Sequence, residues 1–370
     1  MSTSLLNPAN KETNSQGIEK KESFTLERVA ELSGILASKV EGAINEIDRL
    51  NGQTHMIAIN ARIEASRAGL AGKAFSVVAE QMNDLSGKIG VVSQKMRNES
   101  RDAMDELGNL IKIQATNVRG TRLSDLALTN IDLIDRNLYE RTADVRWWAT
   151  GESVVSALTK NTDEEYMRAS KRFSIILNSY TVYFDLVLCD LDGKIVANGK
   201  PEQFRSVGSN VANTEWFTSA LKTKIGKEFG FQTVSRCPLA NNEFALIYSC
   251  AVRENGNVDG KIIGVMGVVF RWEGLAQKIM KEVPLTEDEK GKTRICIVDN
   301  NGLVLADSKD LILDDTISFI GKNELFQQKK GFTIVEFNGV DSCIGHAFSP
   351  GFENYSTGWH SLIIQELKSK

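Results

Sequence analysis

Two hydrophobic periods divide the chain. Through the first 160 or so residues apolar positions recur at three-four spacing; beyond residue 180 they alternate with period two between Asp-Gly and Asn-Gly turns. From Val29 one line runs Val29, Leu36, Ala43, Leu50, Ile57, and a second runs Val40, Ile47, Thr54, Ala61, Ala68. Together they make the a/d seam of a coiled-coil arm. After the stretch "GLAG" the period restarts as Phe75, Met82, Ile89, Met96, Ala103, Leu110, with a second line at Val78, Leu85, Val92. If the chain reverses near Leu70 and Ala71, the two arms match in length, each on the order of 65 Å at about 1.5 Å per residue. So thin a hairpin cannot bury both seams alone, and a dimeric four-helix bundle is the expected solution.

The segment from about residue 117 repeats the helical spacing at Leu123, Ala127, Ile131, Ile134, Leu138, Val145 and Trp148, which predicts another long helix. A shorter helix is expected over "TDEEYMRASKRFSIILNSY". In the β-rich remainder, "LVLCDLDGKIVAN" (186–198) aligns without a gap to "ICIVDNNGLVLAD" (295–307), each a strand, a D-x-x-G turn and a strand. A short helical stretch and further strands follow each copy. The fold class expected is therefore α+β: an antiparallel coiled-coil hairpin, a long helix, then two tandem antiparallel α/β lobes. The expected limits are a polar disordered tail over 1–22, the hairpin over 23–116 with its tip near 69–72, the long helix and first lobe over 117–280, and the second lobe over 281–370.

Composition adds little to this picture. With 370 residues, 42% apolar content and a formal net charge of -4, the chain can build more than one core and presents no bulk basic field for nucleic acid. No run approaches the roughly 18 apolar residues of a membrane span, and the amino terminus lacks an apolar leader. Five cysteines sit singly, at 189, 237, 250, 296 and 343, without a CxxC pair. A cytoplasmic location is the resulting expectation.

Candidate chemistry is sparse. Cys343 and His346 are three apart on an expected strand and point to opposite faces, which argues against a shared metal. Asp190 and Asp299 open D-x-x-G turns, where bonding to the backbone accounts for them. Trp147 and Trp148 read as helix packing. No phosphate-binding loop, nucleophile elbow, zinc motif or dinucleotide fingerprint occurs, so neither a catalytic residue, a metal site nor a cofactor is expected.

The reversal itself carries more detail than a turn needs. Gly69 and Gly72 supply backbone freedom, and a structural reversal alone accounts for them. Asn60, Glu64 and Arg67 fall on one helical face just below it. The stretch "QTHMIAINARIEASRAGLAGKAFSVVAEQMNDLS" resembles the signalling-tip hairpin of methyl-accepting chemotaxis receptors. That resemblance implies docking of a histidine kinase and a coupling adaptor through Met56, Ile59, Val77 and their neighbours. It also implies contacts with other receptor dimers through Ile57, Asn60, Glu64 and Arg67. The sequence departs from the family pattern at four places. His55 stands for an asparagine, Arg62 for an alanine, Leu70 for a glutamate and Ala74 for a glycine. The arms are shorter than the family's, and their one adjacent Glu/Gln pair is Glu80-Gln81, so methylation sites are not expected.

The remainder, about 117–370, resembles a double Cache sensor with two PAS-like lobes. The places of the family's amino-acid-clamping arginine and aspartate fall on Thr214 and Val269, which argues against an amino-acid ligand. The resemblance directs Tyr183, Trp216, Phe217, Arg236 and Tyr248 toward the ligand cavity. Aromatic walls with one cation suit a small organic anion; core aromatics with a solvated arginine fit the same residues. Two functions stay open. One is a signal transducer in which ligand occupancy is relayed through the helices to a kinase-docking hairpin. The other is a dimeric ligand-binding module whose hairpin only dimerises or joins receptor arrays.

Overall fold

The computed structural model of the chain describes residues 26–367; the tail expected over 1–22 lies outside them. The chain divides into two compact units, the first ending at Asn117 and the second beginning at Val118. The first is built from α1 (Leu26–Arg67), a 3-10 turn (Gly69–Gly72) and the beginning of α2 (Lys73–Trp148). The second takes the rest of α2, followed by α3 (Glu152–Lys160) and α4 (Asp163–Ser179). Its first lobe has β1 (Tyr183–Cys189), β2 (Ile195–Asn198), α5 (Glu215–Leu221), β3 (Gly230–Cys237), β4 (Glu243–Arg253) and β5 (Ile262–Arg271). Helices α6 (Trp272–Glu282) and α7 (Glu287–Lys290) lead to the second. There β6 (Thr293–Val298), β7 (Val304–Asp307), α8 (Lys322–Phe326), β8 (Lys330–Phe337), β9 (Val340–Phe348) and β10 (His360–Glu366) follow.

The helices correct the sequence reading in one respect. No helix boundary falls near residue 117: α2 is continuous over 76 residues. Gly120, inside it, leaves room for the ring of Phe332, which a Cβ would overlap. The helix stops at Trp148, and Gly151 is extended (φ -64°, ψ 138°) as the N-cap of α3.

In the first unit, polar pairs set the register of the antiparallel arms. Ser86 Oγ donates to Asn51 Oδ1 at 2.7 Å while Asn51 Nδ2 donates to the Ser86 carbonyl at 3.0 Å. Arg97 Nη2 donates to Asp48 Oδ2 at 2.7 Å, and Ser93 bonds the same carboxylate. The partners lie at nearly equal distances along the sequence from Leu70. Small or branched residues such as Ile44, Ala58 and Ala79 fill the contact between the arms. Much of the heptad seam, including Leu36, Leu50, Ile57, Leu85 and Val92, stays exposed on the single chain.

In the second unit both sheets are five-stranded and antiparallel, with the same order: β2-β1-β5-β4-β3 and β7-β6-β10-β9-β8. One face of each belongs to a continuous core with α2, whose Leu123, Ala127, Ile131, Ile134, Leu138, Val145 and Trp148 are all buried. Each opposite face packs its own smaller cluster, the first under α5 and the second under α8. The internal repeat is exact in register, since Val187 pairs with Asn198 as Cys296 pairs with Asp307. It also keeps a buried polar link at one place with different chemistry. Asn198 Nδ2 donates to Asp185 Oδ2 at 2.7 Å in the first lobe, and Arg294 Nη2 donates to Asp307 Oδ2 at 2.6 Å in the second.

Both D-x-x-G turns are built as expected. Asp190 Oδ1 accepts from the amides of Asp192 and Lys194, and Asp299 Oδ1 from those of Asn301 and Leu303. Gly193 and Gly302 supply the positive φ that closes the turns.

Candidate ligand cavity and hairpin tip

On the α5 side of the first sheet lies a cavity of about 350 Å³. Its floor is strand: Ile247 of β4 and Gln232 of β3. Its walls are Trp216 of α5, the 3-10 turn after β3, and the loop that carries Phe204, Arg205 and Ser206. Helix α5 is fixed by hydrogen bonds to the sheet. Ser249 Oγ donates to the Trp216 carbonyl at 2.6 Å, and the Phe231 amide donates to Ser219 Oγ at 3.1 Å. Gly267 admits the indole of Trp216, which a Cβ there would crowd.

The chemistry of this lining is one-sided. Among its residues Arg205, exposed at the rim, is the cation, and no carboxylate joins it. Ser206 is only 3% exposed, yet its hydroxyl has no hydrogen-bond partner among the described residues. A buried donor without a partner loses its hydration for nothing in return. A ligand that accepts from Ser206 Oγ and neutralises Arg205 would satisfy both.

The structure separates the five candidates expected here. Trp216 lines the cavity; Phe217, set edge-to-face against it at 6.1 Å, packs beneath. Arg236 is exposed, with its guanidinium over the Phe244 ring at 4.3 Å. Tyr183 and Tyr248 face the opposite side of the sheet, toward the helices, because strand alternation and a bulge between Tyr183 and Asp185 turn them there. Tyr183 Oη donates to Asp144 Oδ2 at 2.5 Å, and burial pushes its pKa well up. Thr214 lines the cavity with its hydroxyl spent on the Val211 carbonyl at 2.8 Å, and Val269 is core. Arg205 and Ser206 were missed in the sequence, where "QFRSVGSN" reads as an ordinary polar connection.

In the second lobe His346 Nε2 lies 2.8 Å from His360 Nδ1, and both rings stack with Phe326. Burial holds the pKa of His346 down to about 3 and that of His360 to about 4. Cys343 faces the helix side of the same sheet. No group of three or more potential metal ligands comes together among the described residues.

At the hairpin tip Gly69 takes φ +59°. Gly72 serves differently: a Cβ there would overlap the Ala65 carbonyl, so close approach demands the glycine. Over residues 7–132 the chain matches the family described as methyl-accepting chemotaxis protein (MCP) signalling domain. It is 35% identical over 89 residues to transducer protein Htr18 of Halobacterium salinarum and 32% identical over 100 residues to methyl-accepting chemotaxis protein IV of Escherichia coli. These stretches are 24% and 26% of this chain but 11% and 17% of those proteins. That stretch is similar to a chemoreceptor signalling domain.

Around the turn of the hairpin Met56, Ile57 and Val77 are exposed and Ile59 is half-buried. Asn60 is exposed as well, and Arg67 Nη1 donates to Glu64 Oε1 at 2.8 Å on the surface. Arg62 also projects to the surface. The rest of the chain shares its fold with a solved domain of another protein. The sensor domain of the Vibrio cholerae histidine kinase DctB superposes with a TM-score of 0.51 at 12% identity, covering 70% of this chain and all of that one. No helix among the described residues is long and apolar enough to cross a membrane.

Proposed function

We propose that the chain is a cytoplasmic chemoreceptor-like signal transducer: a small organic anion bound in the first lobe changes how α2 is held, and the hairpin passes that change to a docked histidine kinase and coupling adaptor. The observation that carries the reading is the cavity itself, with an unpartnered buried hydroxyl at Ser206 beside Arg205, on the same chain as a stretch similar to a signalling domain. The absence of a carboxylate from the lining favours an anion over a zwitterion, since nothing there would hold an ammonium group.

A path for the change starts at the cavity floor. Ile247 lines the cavity, and the next residue, Tyr248, faces the other way and bonds Tyr355. The segment around Tyr355 is tied to α2 by Asp135. That buried carboxylate accepts from Ser349 Oγ at 2.6 Å, the Gly351 amide at 2.7 Å and Thr357 Oγ1 at 2.8 Å. A ligand that favours one arrangement of this network over another shifts its population by the difference in affinity.

The exposed seam of the hairpin supports a homodimer, which would bury Leu36, Leu50, Ile57, Leu85 and Val92 in a four-helix bundle. Five unpaired, buried cysteines suit a reducing compartment. A second reading is favoured by Arg62 and Leu70, both exposed at the tip where the family pattern has an alanine and a glutamate. In it the hairpin joins receptor arrays as a dimeric ligand-binding module without controlling a kinase. Pull-down of the kinase and adaptor by the full chain, repeated with Asn60→Ala and Arg67→Ala, tests tip docking. Capture that falls with these changes while the dimer persists supports it; capture indifferent to them removes it.

A further inference from the structure

We infer that the first lobe carries a second ligand site, on the helical side of its sheet, for an anion that bears a planar aromatic ring. The site is a cleft of about 450 Å³ between the end of α2, the start of α3 and the outer face of α4. Trp147 forms one wall and is 72% exposed, unlike its neighbour Trp148, which is in the core. The sequence reading had both tryptophans as packing; helical rotation of about 100° per residue places only one of them inside. Ile175, half exposed, and Ile176 continue the apolar surface along α4.

The polar side of the cleft is cationic. Arg168, Lys171 and Arg172 all line it, against one carboxylate, Glu152. That carboxylate is already engaged by Arg168 at 3.2 Å, and Arg168 also reaches Glu165 at 3.7 Å. Lys171 and Arg172 have no ion pair among the described residues. A bare indole of this size at the surface leaves a large apolar area in water. An aromatic ring stacked on Trp147 covers it, while its carboxylate sits between Lys171 and Arg172. A neutral ring forfeits the charges, and a small aliphatic anion forfeits the stacking. The cleft shares no lining residue with the cavity beside Ser206, so the two sites are separable by mutation.

The test is calorimetric titration of the full chain with 2-naphthoate, compared with neutral 2-naphthalenemethanol and with acetate. Saturable binding of 2-naphthoate at one site is expected, weakened roughly tenfold or more by Trp147→Ala and by Lys171→Gln with Arg172→Gln. Both variants change exposed side chains, and circular dichroism confirms their fold. Binding should persist in Arg205→Gln with Ser206→Ala, which alters only the other cavity. Absence of saturable binding, equal binding of the neutral analogue, or loss only in the Arg205/Ser206 variant would overturn the inference. So would sedimentation velocity showing that Trp147→Ala abolishes self-association of the unliganded chain, which would make this face a contact between copies.

Discussion

Tyr248 Oη lies 2.6 Å from Tyr355 Oη, and the two rings join β4 of the first sheet to the segment between β9 and β10 of the second. Both hydroxyls are buried, and burial is the main cause that raises both pKa values. Removing either hydroxyl leaves its partner desolvated and unpaired, at a cost of about 1–3 kcal/mol, whereas removing both leaves nothing unpaired. Tyr248→Phe and Tyr355→Phe are each expected to destabilise the chain in urea unfolding, and the double variant by less than the sum of the two. Additive losses would show that the hydroxyls act independently.

The cavity makes an opposite prediction for Ser206. Because its hydroxyl has no partner among the described residues, Ser206→Ala should leave the melting temperature of the unliganded chain unchanged or raised, while reducing the thermal shift produced by small carboxylates. Arg205→Gln, at the exposed rim, should weaken the same ligands and flatten their dependence on salt. A screen of acetate, pyruvate, succinate and malate that moves the melting temperature equally in wild type and both variants would place the anion elsewhere.

The turn yields a third. Gly72→Ala puts a methyl group onto the Ala65 carbonyl, and the tip must open to admit it. Thermal unfolding followed by circular dichroism should show the hairpin destabilised by about 1–3 kcal/mol. Gly69→Ala, strained only by its φ of +59° in open space, should cost about 1 kcal/mol. A larger loss from Gly69→Ala than from Gly72→Ala would contradict the different roles assigned to the two glycines.

Acid sensitivity follows from His346 and His360. Their pKa values lie below the ordinary 6.5, mainly through burial, so the unfolded chain binds protons that the folded one refuses. Their contribution is complete above pH 6.5 and is lost as the pH falls toward about 4. Asp185 runs the other way: burial lifts its pKa from 3.8 to about 6, so the stability linked to it is lost as the pH rises through that range. Urea unfolding between pH 7 and 5 should therefore lose its histidine-linked slope in the His346→Gln, His360→Gln variant, leaving the opposite slope of Asp185. An unchanged slope would show that the pair does not titrate as its burial requires.

The helical half was legible because its period repeats over many turns. All seven apolar residues marked on the later part of α2 are in the core, and the polar pairs between the arms agree with a reversal at Leu70. The uninterrupted run of α2 through Gly120 was not legible, since glycine reads locally as a break while its reason, the ring of Phe332, is remote in sequence. The strands and their repeat were visible in alternation and turn residues. The cavity was not. A bulge in β1 decides which face Tyr183 takes, and Arg205 and Ser206 reach the cavity through a loop whose path leaves no periodic trace.

The central claim is that occupancy of the first-lobe cavity controls a kinase. The most direct measurement is ATP-dependent autophosphorylation of a chemotaxis histidine kinase reconstituted with its coupling adaptor and the full chain, with and without the carboxylate that gives the largest thermal shift. The account predicts a change in kinase activity on adding the anion that disappears in Arg205→Gln with Ser206→Ala. Kinase activity that stays the same while calorimetry shows the anion bound would contradict it.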